Sequence, residues 1–288
     1  MFYTLSLLAG ALIAVMVAIN GALSGLYDLH WVTVFLHFTG LLFVGGLVLL
    51  KRENPFSVRH PWFFYLGGAF GVINTIFNNF AFGRIRISAI FSLVLLGQSI
   101  SGLIVDHYGL WGMPQRSFHR RTLPGIALML IGVSFMLTDF EIVAVLLSFL
   151  TGVTVLLNRT FNAKLSDVSN VRISTFFNYF VGLLFSLPIF FIFATGEASF
   201  LSFRPANDWF LYIGGFIGVF VIMLNNIVAL KIPAFYLTLL IFIGQVFTGI
   251  LIDALLAGAF SLPIFLGGLF ISAGLCANLL SDRRSSEC

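Results

Sequence analysis

Charge is scarce in this sequence. Asp, Glu, Lys and Arg make up 9% of its 288 residues, against about 25% in an ordinary soluble domain. So few charges do not cover the surface of a water-exposed protein of this size. A soluble enzyme, a disordered chain, a coiled coil and a nucleic-acid-binding domain are excluded together. Cysteine is nearly absent, and Cys276 and Cys288 give neither a disulfide framework nor a metal-ligand spacing. The Walker A, G-x-S-x-G and H-E-x-x-H patterns are missing too, so no nucleotide, metal or other cofactor is expected.

What the chain has is apolar residues, 59% of the total, with 35 Phe among them. A membrane helix needs about 20 of them in succession. Breaks at charged, Pro and polar clusters leave about ten such spans. They fall at about 3–26, 31–50, 61–83, 87–106 and 123–138, then 141–164, 171–195, 208–230, 234–256 and 262–280. The longest break, from Asp106 to Thr122, reads as a loop. Met1-Phe2-Tyr3-Thr4 lacks a basic start, so the first run reads as a span and not as a cleaved leader. With both termini cytoplasmic, 11 of the 15 Lys and Arg lie in inner loops and 3 in outer ones, with Arg159 inside a span. That is the asymmetry expected of inner-membrane proteins. Trp31, Trp62, Tyr65, Trp209 and Tyr212 begin spans, where aromatic belts form.

The chain repeats itself. Trp62, Tyr65, Gly67, Gly68, Gly71, Asn78-Asn79, Gly97-Gln98, Gly102 and Asp106 recur 147 residues later, ending at Asp253. Gly10, Asn20, Phe35, Phe38 and Gly40 recur 142 residues later as Gly152, Asn162, Phe177, Phe180 and Gly182. This divides the chain into residues 1–139 and 140–288. Five spans per half is an odd number, so the second half enters the membrane inverted. The expected fold class is therefore an all-α polytopic membrane protein of about ten helices in two inverted five-helix repeats.

The run Gly97-Gln98 through Asp106-His107-Tyr108-Gly109, then Gly125 and Gly132, with Asn20 and Leu23 in the first span, resembles the YdcZ-like family of the drug/metabolite transporter superfamily. The second half keeps Gly244-Gln245 and Asp253 but has Ala254 where the first has His107, and it lacks much of the basic loop. The resemblance implies a fused tandem of two five-span units, a cavity between them, and export of small organic molecules.

Polar residues inside spans are costly and mark candidate sites. Gln98 and Gln245 fall near mid-span, where an amide offers two donors and an acceptor to a substrate or to a neighbouring helix. Asn78 and Asn79 fall near the outer end of their span, Asn225 and Asn226 near the inner end of theirs, and Asn20 and Asn162 divide in the same way. Such residues suit two alternating gates, or plain interhelical bonds. Asp106 and Asp253 are the matched carboxylates and the candidates for ion coupling, or else helix-end residues at the interface. Arg159, matched by Val17, is expected to snorkel toward the cytoplasmic interface, or to serve as counter-ion to an anion. His37, matched by Tyr179, is expected to donate one hydrogen bond. The small-xxx-small pairs Gly67/Gly71, Gly97/Ser101, Gly214/Gly218 and Gly244/Thr248 are expected to bring helices close.

The expected function is a secondary transporter, an exporter in direction, working by alternating access. Its partners are a small-molecule substrate and the lipid bilayer, with a second copy of the chain as a candidate. A passive channel or lipid scramblase is the rival reading, and an intramembrane enzyme, lacking any nucleophile motif, a more distant one.

Overall fold

The computed structural model describes residues 1–57, 60–110, 123–137, 141–193, 207–229, 231, 234–258 and 260–286, and gives only the backbone at Asp106, Ala229, 234–236, Ala257 and 278–286. The ordered elements are helical. They are α1 (Phe2–Leu26), α2 (Leu29–Leu50), α3 (Gly67–Ala81), α4 (Ile87–Tyr108), α5 (Leu123–Met136), α6 (Ile142–Val168), α7 (Val171–Phe193), α8 (Gly214–Ala229), α9 (Ala234–Ala257) and α10 (Leu262–Ser286). The chain is an all-α polytopic membrane protein. Among the described residues, seven spans are long and apolar enough to cross a bilayer, whereas α5 and the apolar part of α10, Leu262–Ala277, are shorter. The spans read at 61–83 and 208–230 are each broken. Trp62–Leu66 and Trp209–Ile213 are 3₁₀ turns that pass into α3 and α8 at Gly67 and Gly214. The loop expected from Asp106 begins later, because α4 runs on to Tyr108 and is closed by Gly109 at φ +60, a conformation glycine adopts without steric cost. The rest of that loop lies outside the described residues.

Helix starts obey the repeat. Asp28 Oδ1 accepts from the amides of His30 (2.8 Å) and Trp31 (3.1 Å) and so caps α2. Asn170, 142 residues later, accepts from Ile173 N at 3.0 Å and caps α7.

The main packing crosses between halves. α1 packs on α9 and α8, and its counterpart α6 packs on α4 and α3. α2 packs on its counterpart α7, and α5 on α10. Glycine sets the closest of these approaches. A Cβ on Gly10 would strike the carbonyl of Ile241, and one on Gly244 the carbonyl of Leu7. At the matched pair, Gly152 faces the carbonyl of Val94 and Gly97 that of Phe149. The expectation that repeated glycines bring helices together is met at both places.

The core gathers on α4, where Ile90, Phe91, Val94 and Leu95 pack with Met129, Val133, Phe242, Val246, Ile264 and Ile271. Leu42, Leu49, Phe191, Ile192 and Leu255 face outward instead, as suits a surface bathed in hydrocarbon. Among the described residues, ion pairs join the halves just after α3 and just after α2. Arg84 meets Glu141 at 3.5 Å, and Arg172 is paired with Glu53. The hydrogen bonds from Arg172 hold the Glu53 carboxyl below the ordinary carboxylate range. That pair contributes stability above the usual Glu pKa and loses it as pH falls through the lowered one.

Candidate functional site

The interlocked halves leave a central cavity of about 150 Å³. Helices α1, α2, α3, α6, α7, α8 and α9 contribute to its wall, with Phe91 and Val94 from the first half of α4. Asn20, Asn78, Asn225, Gln245 and Arg159, all candidates from the sequence, reach it together. Asn78 and Asn225, expected at opposite ends of the membrane, thus line one space.

Arg159 departs from the expected snorkelling. It lines the cavity, and its Nη1–H donates to Gln98 Oε1 at 3.2 Å. Gln98 lies midway along the 22-residue α4, so the guanidinium is drawn to the middle of the bundle. The cause is geometric: Gly152 lets α6 close onto α4, which brings the Gln98 amide within reach. Gln98 itself stands behind Arg159 and is not part of the wall. Gln245, midway along the 24-residue α9, is buried and on the wall.

Asn162 lies one layer back. Its Nδ2 donates to Asn158 Oδ1 (3.0 Å) and Asn178 Oδ1 (2.9 Å), and Asn158 Nδ2 donates to Asn178 Oδ1 (3.0 Å) and to the Gly67 carbonyl (2.7 Å). Ser174 Oγ closes the network on the Asn162 carbonyl at 2.7 Å. This knot joins α6, α7 and the start of α3. Asn74, Asn158 and Asn178 line the cavity and were not singled out in the sequence. A signal was present, since Asn74 and Asn158 each lie four residues before a chosen Asn, on the same helix face. Asn78 Nδ2 indeed donates to Asn74 Oδ1 at 2.6 Å. Asn79 and Asn226 are buried but off the cavity. His37, also on the wall, has one ring nitrogen, Nδ1, bonded to the Thr33 carbonyl at 2.8 Å, the single donated bond expected of it.

Asp253 sits away from the cavity, buried against the start of α4. Its Oδ1 accepts from Ile87 N (3.0 Å), and its Oδ2 accepts from Ser88 N (2.9 Å) and Ser88 Oγ (2.6 Å). A carboxylate from one half therefore caps a helix of the other, a favourable place for negative charge. The side chain of Asp106 lies outside the described residues.

This arrangement can hold a compact organic molecule by hydrogen bonds, one positive charge and apolar contact. No curated protein matches the chain. A solved structure, described only as "Crystal structure of protein", superposes on 98% of this chain and 96% of its own with a TM-score of 0.64 at 16% identity, a likeness of fold alone. The family described as "Putative inner membrane exporter, YdcZ" (DMT_YdcZ) matches twice, over residues 1–135 and again over 143–277. Those two segments take in most of the chain, which accordingly belongs to the DMT_YdcZ family.

Proposed function

We propose that this chain is a secondary carrier that exports a small organic molecule across the inner membrane by alternating access. The observation that carries the reading is the cavity, part polar and part apolar, at the seam of two interlocked, sequence-related halves, the place where carriers with inverted repeats bind their cargo. Arg159, Gln245, Asn20, Asn78 and Asn225 are the proposed substrate contacts. Gln98 holds Arg159 in position, Asn162 holds the lining residues Asn158 and Asn178, and Asn79 and Asn226 belong to the packing that surrounds them. Both termini are placed in the cytoplasm, a reading supported by the Lys and Arg asymmetry.

Coupling is assigned to Asp253, with Asp106 as its counterpart toward the other face. An ionised Asp253 holds the start of α4. A proton on it would remove the charge that favours the cap and free α4 to move.

The test is counterflow in liposomes containing the purified chain, using compounds that raise its melting temperature. Accumulation of labelled compound against its gradient, driven by unlabelled compound inside, is the expected result. Flux only down the gradient, with no counterflow, would identify a passive channel.

A further inference from the structure

The scaffold of the cavity is symmetric, but its lining is not. Asn158, Arg159 and Asn178 on α6 and α7 occupy the positions of Met16, Val17 and Leu36 on α1 and α2, and all six line the cavity. Likewise Asn74 and Thr75 on α3 correspond to Val221 and Ile222 on α8. One wall, from α3, α6 and α7, is polar and carries a positive charge. The facing wall, from α1, α2 and α8, is apolar at these positions and carries no charge, with Asn20, His37 and Asn225 as its polar points.

The broken symmetry leaves bonding capacity unused. Asn20 packs on Gly214 as Asn162 packs on Gly67. Asn162 has Asn158 and Asn178 for partners, whereas Asn20 has Met16 and Leu36 at those positions, and its Oδ1 is buried with no partner. Asn78 Oδ1 and Asn225 Oδ1, also on the cavity, are unpartnered too. Arg159 is the one Lys or Arg among the described lining residues, and no carboxylate is among them. Its partner among the described residues is a single neutral amide oxygen, although a guanidinium carries five N–H donors. A charge at that depth is expensive without an opposite charge beside it.

We infer that the cargo is a small amphipathic monoanion, an organic carboxylate with an apolar body, an inference that rests on the carrier reading above. The carboxylate pairs with Arg159 on the polar wall, in the two-pronged geometry that guanidinium and carboxylate share. The body lies on Met16, Leu36, Val221 and Ile222. One cation matches one negative charge, because a second would stay unpaired in the membrane interior. A cavity of about 150 Å³ takes a guest of about the size of benzene. A hydroxyl or N–H on the body would meet the free amide oxygens of Asn20, Asn78 and Asn225.

Benzoate, benzamide and benzylamine share a ring and differ in charge, so they make a direct probe. Their affinities for the full chain in lipid nanodiscs are to be measured by calorimetric titration. Benzoate is expected to bind at least about tenfold more tightly than benzamide, the scale of a charged hydrogen-bonded contact, and benzylamine more weakly than either. Arg159→Gln should cost benzoate at least about tenfold, the scale of a charged hydrogen-bonded contact, and cost benzamide clearly less. The comparison on the unaltered chain stands even if that variant does not fold. Benzamide or benzylamine binding as tightly as benzoate would overturn the inference, as would benzoate binding weaker than about 10 mM. Tight benzoate binding without counterflow of labelled benzoate would uphold the anion site and instead overturn the carrier reading.

Discussion

Asp253 shows how a residue's partners sharpen what its type alone suggests. A carboxylate among Leu251, Ile252, Ala254 and Leu255 reads as an isolated group in an apolar segment. In the folded chain it accepts three hydrogen bonds from Ile87 and Ser88. Asp253→Asn keeps one acceptor oxygen and loses the charge. It is expected to cost about 1 kcal/mol of stability, the scale of a lost helix cap, and to abolish accumulation driven by a pH gradient while sparing downhill exchange. Accumulation at the unaltered level under an imposed pH difference would leave Asp253 only its capping role. The five candidates on the cavity wall were legible because each breaks an apolar run. Asn74, Asn158 and Asn178 were not, because the repeat directs attention to residues with counterparts. These three have Val221, Met16 and Leu36 instead. The inward turn of Arg159 was hidden for a related reason, since the carbonyl oxygen of Gln98 that receives it lies 61 residues away.

At the level of elements, hydropathy located the ten helices, with most ends within a few residues and α10 running on past the expected end to Ser286, because lipid demands a continuous apolar run and each run ends at a charge, Pro or polar cluster. It did not reveal that the third and eighth begin as 3₁₀ turns, since the Trp-x-x-Tyr segments are as apolar as the helices they precede. The helix pairings were not legible either. They depend on which glycines meet a backbone across the interface. That dependence is testable at Gly244, where α9 meets α1, with Gly102 as control, since a Cβ on Gly102 meets nothing within 4 Å. Gly244→Val is expected to lower stability by about 1–3 kcal/mol, the cost of overpacking a close contact, and Gly102→Val to leave it nearly unchanged. Thermal unfolding of the detergent-purified variants reads the difference. Equal losses would mean that the α1–α9 contact yields easily.

In the whole molecule the two halves interlock, and each principal pairing of helices joins one half to the other. An exchange of conformation between the halves therefore changes every pairing together, while the ion pairs Arg84–Glu141 and Arg172–Glu53 tie them just after α3 and just after α2. The repeat and its odd span count were visible in the sequence, but the cavity was not, because its wall is assembled from positions on eight helices. The central claim is that this cavity opens alternately to the two sides of the membrane. Ile222 lines it on the apolar wall. In a chain carrying Cys276→Ser and Cys288→Ser, Ile222→Cys supplies one thiol there. Its modification by a membrane-impermeant thiol reagent, applied separately from each side of oriented vesicles, is the most direct measurement. The account predicts modification from both sides, with no conductance of ions through the protein. Modification from one side alone, whatever the conditions, would contradict it.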